Sequence, residues 1–166
     1  MKPVTRIYLD TNIFIYAFEE TSQRSNLLAQ LFTVSSSAGA CFVISELSLS
    51  ELLVKPYRDA DDVMIDQYEG FLLTSDWLEV LSVVRPTLAY AAVLRSQNKG
   101  LKLPDAIHLS TAIGASCSHF LTGDMGIVDT YELIHLRYGI TKKAQPLTVI
   151  RPDEPTLNSL LKSLAA

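Results

Sequence analysis

The sequence predicts an α/β fold, a central parallel sheet of about five strands covered by helices on both faces in three layers. Two observations carry that prediction. Short apolar, β-prone runs alternate with longer segments of helical spacing along all 166 residues. The first of these runs, Ile7-Tyr8-Leu9, breaks off in Asp10-Thr11-Asn12 before a new apolar run begins, which is how a buried parallel strand delivers polar groups to the carboxyl edge of a sheet. Open α/β sheets bind ligands at that edge.

The elements follow in order. Asn12 to Phe18 reads as a short helix, and Ser22 to about Ser36 as a longer one with Leu27, Leu28 and Leu31 on one face, closed by Gly39. Cys41 to Ile44 is a wholly apolar second strand. Ser45-Glu46 leads into a helix from about Ser48 to Lys55, which Pro56 is expected to stop, since proline lacks the donor and clashes with the preceding turn. Asp59 to Leu73 reads as a helix that buries Val63, Tyr68, Phe71 and Leu72. Trp77 to Val83 holds a third strand, and Pro86 and Gly100 bracket a helix from about Arg85 to Lys99. Pro104 opens the helix Asp105 to Ser116, and His119 to Thr122 is a fourth strand ending in Gly123-Asp124. In the weakly patterned stretch from Met125 to Ala144, Tyr131 to Arg137 has a helical reading. Pro146 to Ile150 makes a fifth strand at an edge, and Pro152 to Leu164 a terminal helix with Asp153 near its cap. No repeat or linker interrupts the chain, so residues 1–166 read as one domain.

Composition narrows the function classes. Apolar residues make up 48% and charged ones 19%, which argues against disorder. No apolar run approaches the roughly 18 residues that span a bilayer, and the N-terminus lacks a signal-peptide core, so a cytoplasmic protein with no membrane contact is expected. Cys41 and Cys117 have neither metal-ligand spacing nor a nearby partner, and read as buried free thiols. A net charge of −4 argues against a broad basic nucleic-acid surface. It does not exclude a nuclease, because two divalent cations held by the acids would bring the charge to about zero.

Four acids fall where chemistry would need them, and each has a local structural explanation. Asp10, after a strand and before a helix, fits an N-cap. Ser48-Leu49-Ser50-Glu51 fits a capping box, in which Glu51 reaches back to the helix start. Asp105 follows Pro104 in a first helical turn, where the macrodipole favours an acid by roughly 0.3 to 1 kcal/mol. Asp124 after Gly123 is ordinary turn chemistry. Taken singly, these explanations leave the joint pattern unaccounted for. Strand ends and the following helix starts share one edge of a parallel sheet, so all four carboxylates are aimed at one volume. Two like charges about 6 Å apart at an effective dielectric near 20 repel by roughly 3 kcal/mol. Such a cluster wants cations, and all-oxygen donors suit Mg²⁺ or Mn²⁺.

The blocks I-Y-L-D-T-N-I-F-I-Y, S-E-L-S-L-S-E-L-L-V-K-P, L-P-D-A-I-H-L-S-T-A and F-L-T-G-D, in that order from Ile7 to Asp124, resemble the PIN-domain nucleases, most closely the VapC-type toxins of prokaryotic toxin–antitoxin pairs. The Arg151-Pro152 pair is also similar. The resemblance implies a PIN-like fold and places metal-binding, catalytic acids on Asp10, Glu51, Asp105 and Asp124, with Thr11, Asn12 and Thr122 as polar support and Asp129 in reserve for Asp124. It implies an endoribonuclease with one or two Mg²⁺ or Mn²⁺ ions, an RNA substrate, a small antitoxin partner and a homodimer.

Arg95, Lys99 and Lys102, just before the Asp105 helix, and Lys55 and Arg58, after Glu51, are candidates for flanking phosphates, though each taken singly reads first as solvated surface charge. His108, three residues after Asp105, shares its helical face and reads as a packing residue or a neighbour of the site. Glu46 is the alternative to Glu51, but on a continuous helix the two point about 140° apart. Three competing readings remain. A haloacid-dehalogenase-like phosphatase would need an acid where Asn12 stands; a receiver-like domain would need an aspartate near Leu81-Ser82-Val83; a non-catalytic PIN-like RNA-binding or interaction module would be favoured by loss of an acid.

Overall fold

The computed structural model describes residues 2–34 and 41–165. Five strands run parallel: β1 (Ile7–Leu9), β2 (Phe42–Ser45), β3 (Leu78–Leu81), β4 (His119–Leu121) and β8 (Leu147–Ile150). The two-residue β5 (Thr130–Tyr131) pairs antiparallel with β8, giving the order β3-β2-β1-β4-β8-β5. The remaining strands, β6 (Ile134–Arg137) and β7 (Ile140–Lys143), form a separate hairpin. Helices α1 (Thr11–Glu19), α2 (Gln23–Phe32), α3 (Leu47–Arg58), α4 (Asp62–Phe71), α5 (Arg85–Gln97), α6 (Leu103–Gly114) and α7 (Glu154–Leu164) complete the chain.

Strand alternation sorts the core into two layers. Ile7, Leu9, Phe42, Ile44 and Leu121 pack with Phe14, Leu28 and Leu157 of α1, α2 and α7. Tyr8, Val43, Phe120 and Val149 face the other way, onto Leu94 of α5 and Leu109 of α6. Tyr8 stacks on Phe120 with centroids 5.1 Å apart. Successive strands leave β1 in one direction through β2 and β3, and in the other through β4 and β8. The order reverses between β1 and β4, the place where doubly wound sheets open a crevice. Asp10 terminates β1 at that crevice.

Several expectations need correction. Pro56 does not stop α3, which runs on to Arg58 with Pro56 buried; Asp61 N–H satisfies the Pro56 carbonyl at 2.9 Å, and burial of the ring outweighs one lost helical bond. On α4, Tyr68 and Leu72 are buried as expected, but Val63 and Phe71 are exposed, because the inward stripe runs through Ile65, Tyr68 and Leu72. Tyr131 to Arg137 is not helical: it ends β5 and forms β6. Tyr138 and Gly139 turn the hairpin with φ of 51° and 73°, a two-residue turn of the primed kind without the usual Asn-Gly signal. The strand at Leu147–Ile150 lies inside the sheet, with β5 folded back as the edge. The expected end of α2 near Ser36 and its closure at Gly39 lie outside the described residues; within them α2 ends at Phe32. Both cysteines are free and buried. Among the described residues no helix is long and apolar enough to cross a membrane.

Candidate active site

The crevice is built outward from Asp10, which is 5% exposed. Its Oδ1 accepts from the Thr11 amide at 2.8 Å, and its Oδ2 accepts from Thr122 Oγ1 at 2.6 Å and Asn12 Nδ2 at 3.1 Å. The carboxylate therefore caps α1 and is also pinned from β4. Burial holds its pKa above the usual carboxylate value, against the opposing pull of the His108 charge and the Thr122 hydroxyl. Asn12 completes the tie: its Nδ2 also donates to Thr122 Oγ1 at 3.2 Å, and its Oδ1 accepts from Gly123 N–H at 3.0 Å.

Glu51 reaches the same edge from α3. The capping-box expectation fails, because α3 starts at Leu47 and places Ser48 inside the helix, with its Oγ 2.7 Å from Thr11 Oγ1. Glu51 Oε1 accepts from Thr11 Oγ1 at 2.8 Å and lies 2.5 Å from His108 Nε2. An ionised carboxylate only accepts, so Nε2 carries the donated proton. Burial raises the Glu51 pKa, but the hydrogen bonds and charge of His108, with Thr11, outweigh it and leave the pKa low. On its other side, His108 Nδ1 lies 2.6 Å from the buried Tyr8 hydroxyl. Glu46 is exposed at the start of α3 and makes no capping bond.

Asp105 lies in the first turn of α6, partly buried. Burial, then the negative charges of Asp10 and Asp124, hold its pKa up, against His108 and Lys102. Asp124 is exposed; its amide donates to Thr122 Oγ1 at 3.0 Å and its Oδ1 accepts from Gly126 N–H at 2.8 Å. Thr122 thus touches both Asp10 and Asp124. Asp105 and Asp124 share a cleft of about 420 Å³ with Lys99 and Lys102 on its rim. A larger cavity of about 860 Å³ beside β3, α5 and α6 holds the Arg6–Glu79 ion pair and none of the four acids, so its size does not make it the reactive site.

A family model for the PIN domain matches residues 7–133. The chain belongs to the PIN domain family. Solved structures of similar fold include a toxin–antitoxin complex from Klebsiella pneumoniae, with a TM-score of 0.55 and 23% identity over 71% of this chain and 86% of that one. FitAB bound to a DNA fragment gives a TM-score of 0.59 and 16% identity, covering 88% and 94%. A sarcin–ricin-loop-cleaving VapC toxin from Mycobacterium tuberculosis gives 0.53 and 14%, covering 69% and 86%. A search of curated proteins finds no match. Family membership removes the phosphatase and receiver readings.

Around this PIN domain site the remaining candidates divide. Arg95 turns away, donating to the Leu101 carbonyl at 3.1 Å, and Lys55 pairs with Glu19 at 3.0 Å. Arg58 ends α3. Asp129 is 94% exposed and 3.6 Å from Arg151, peripheral to the four acids. Among the described residues no three acid, imidazole or thiol groups surround a single point. The donor chemistry still fits a hard cation, because Mg²⁺ is commonly held by one or two carboxylates with water completing its shell. Three participants carried too little signal in the sequence. Tyr8 and Ser48 look like core and helix residues, and Arg151 was visible only through the Arg-Pro pair. Arg151 donates to the Asp124 carbonyl at 2.6 Å and the Ile127 carbonyl at 2.5 Å, clamping the loop that carries Asp124.

Proposed function

We propose that this protein is a metal-dependent endoribonuclease and the VapC-like toxin of a toxin–antitoxin pair, acting in the cytoplasm. The observation that supports the reading is that Asp10, Glu51 and Asp124, from different parts of the chain, are linked through Thr11 and Thr122, while Asp105 shares a cleft with Asp124 and feels the charges of Asp10 and Asp124. One or two Mg²⁺ or Mn²⁺ ions bound there would lower the pKa of a water and stabilise charge on the leaving oxygen. The chain's own residues orient and bind. Thr122 and Asn12 fix Asp10, Thr11 and His108 fix Glu51, Arg151 holds Asp124 in place, and Lys99 and Lys102 take flanking phosphates. Products with 5′-phosphate and 3′-hydroxyl ends are expected. Val54, Tyr57, Val63 and Leu73 on and beside α3 and α4 are exposed, which supports a surface covered by an antitoxin or by a second copy in a homodimer.

The test is cleavage of a mixed pool of single-stranded and structured RNA by partner-free protein, with Mg²⁺, Mn²⁺ or EDTA, beside Asp10→Asn and Asp105→Asn. Metal-induced thermal stabilisation serves as a readout independent of cutting. Cleavage that needs metal and is lost in both variants supports the mechanism; cleavage that survives EDTA or both substitutions sinks it. The second reading is a non-catalytic RNA-binding or interaction module, favoured by the lack of three groups around one point. Metal binding without cutting of any RNA would select it.

A further inference from the structure

The proposed chemistry makes no use of the β6–β7 hairpin, which lies beyond residues 7–133 matched to the PIN family. An isolated two-stranded hairpin is marginal in water. This one is moored at its base. Gln97 Nε2 donates to the Ile134 carbonyl, Ala144 N–H donates to the Leu133 carbonyl at 3.1 Å, and His135 meets the Tyr90 ring edge-on at 5.6 Å. From Leu136 to Lys143 every residue is exposed.

Its charge is opposite to that of the chain. The protein carries −4 overall, yet Leu133 to Arg151 contains no acid, and the hairpin holds Arg137, Lys142 and Lys143. At the turn Tyr138 is 88% exposed, with the Arg137 guanidinium 5.2 Å from its ring centroid. Basic side chains beside an open aromatic ring are what unpaired nucleic acid binds, phosphates to the charges and a base to the ring. The exposed Leu136 and Ile140 do not make a protein-docking patch, because Leu136 pairs with Thr141 and Ile140 with Arg137, which puts the two on opposite faces. The arm is also continuous with the cleft. Tyr131 lines the cleft three residues before Ile134, and Gln97 at the arm's base adjoins Asn98 and Lys99 of the cleft wall. Tyr138 is four residues beyond Ile134, a reach of roughly 13 Å at 3.3 Å per residue.

We propose that the hairpin is a binding arm for single-stranded RNA that wraps its exposed end, with Arg137 and Lys142 on one face and Lys143 on the other each holding a phosphate and Tyr138 stacked on an unpaired base. The choice of RNA rests on the nuclease reading; the arm itself rests on its charge, exposure and position. It adds positive charge beyond Lys99 and Lys102 of the cleft rim to a protein that is acidic overall.

The test is fluorescence anisotropy with a labelled, unstructured 20-nucleotide RNA of mixed sequence, in EDTA so that nothing is cut, across a KCl series. The wild type is compared with a triple variant (Arg137→Gln, Lys142→Gln, Lys143→Gln) and with Tyr138→Ala. Losing three phosphate contacts on a single strand is expected to flatten the log–log salt slope by about 2. Tyr138→Ala is expected to weaken binding about fivefold or more with the slope unchanged. All four positions are exposed, so circular dichroism and the melting temperature should match wild type, and cleavage of bis(p-nitrophenyl) phosphate, too small to reach the arm, should be retained. Wild-type affinity and slope in the triple variant would overturn the arm, as would absence of RNA binding by the wild type. Loss of self-association or of antitoxin binding with RNA affinity unaltered would also overturn it, in favour of a protein partner. Arm-dependent binding without metal-dependent cutting leaves the arm standing and removes the nuclease reading; cutting that ignores the arm does the reverse.

Discussion

Arg151 gives a sharp test of how the crevice is held. Its guanidinium, 21% exposed, donates one bond to the Asp124 carbonyl and another to the Ile127 carbonyl, bridging the ends of the turn that presents Asp124. Hydrogen bonds involving a charged group contribute roughly 1.5 to 3 kcal/mol each, with the low end fitting a loop open to water on one side. The weak approach to Asp129, 3.6 Å from a carboxylate 94% exposed, adds next to nothing. Arg151→Ala is therefore expected to cost about 2 to 3 kcal/mol. With a urea slope near 2 kcal/mol per molar, the unfolding midpoint falls by about 1 M. Arg151→Lys restores only part of this, since an ammonium on a flexible stem cannot span both carbonyls as a planar fork does. Hydrogen exchange localises the effect: Gly126 and Ile127 amides, bonded to Asp124 Oδ1 and to the Asp124 carbonyl, should lose protection while β1 and β4 keep theirs. A midpoint unchanged within about 0.2 M, or a lysine variant indistinguishable from wild type, would refute the two-carbonyl clamp.

Other expectations follow from single contacts. A Cβ at Gly123 would overlap the hydroxyl and ring of Tyr16, so Gly123→Ala should cost about 1 to 3 kcal/mol by thermal melting, and much less in a Tyr16→Ala background; strict additivity of the two changes would refute it. His119 is fully buried, with Nδ1 2.8 Å from Ser118 Oγ and Nε2 without a partner among the described residues. Burial, then the Lys2 charge, holds its pKa below the ordinary 6.5. The unfolded chain then takes up that proton first, so stability present above pH 6.5 is lost as pH falls toward the folded pKa, and His119→Leu should flatten this part of the melting profile in EDTA. An identical pH slope in the variant would refute it. Burial pushes the Cys117 thiol up to about 12 and raises that of Cys41, so neither should react with a thiol reagent at neutral pH until the protein is unfolded; labelling of the native protein would refute that reading.

Much of this architecture was legible because one physical signal dominated locally. Ile7 to Leu9 and Phe42 to Ser45 are buried on both faces and read as strands without ambiguity. Pro86 and Gly100 bracket α5 as proline and glycine do, with Gly100 at φ 86°. The failures have two causes, tertiary packing that overrides a correct local cue and a segment that carries no cue. Pro56 is a genuine helix breaker that lost to burial of its ring. The hairpin at Tyr138-Gly139 is exposed on both strands, so it has no inside–outside alternation by which a strand could be recognised. His108 shows the limit at the site. Its helical face was visible from its spacing to Asp105, but the partners that give it a role, Tyr8 and Glu51, are 100 and 57 residues away and meet it only through the order of strands in the sheet.

At Asp10 the local cap and a place at the crevice do not compete. Asp10 bonds the first amide of α1 and is pinned by Thr122 at the crevice, so one carboxylate serves as a cap and presents itself to the site. The reason lies in the topology. In a parallel sheet the helix starts, with their unpaired amides and positive dipole ends, collect at the same edge as the strand ends, and these amides offset part of what burial costs a carboxylate placed there. Glu51 is the informative exception. Having no helix start to cap, it is held by a hydroxyl and an imidazole from two other elements, and those bonds outweigh burial and leave its pKa low. Asp105 has no such support, and its pKa is raised by burial and by the charges of Asp10 and Asp124. The crevice therefore combines Glu51, whose contacts hold its pKa low, with Asp10 and Asp105, whose pKa values are held up by burial and by like-charged neighbours. A bound cation would relieve the repulsion on Asp105, so Asp105→Asn should lower metal-induced thermal stabilisation while raising the stability of the metal-free protein. A metal-free variant less stable than wild type would count against repulsion as the source of that strain.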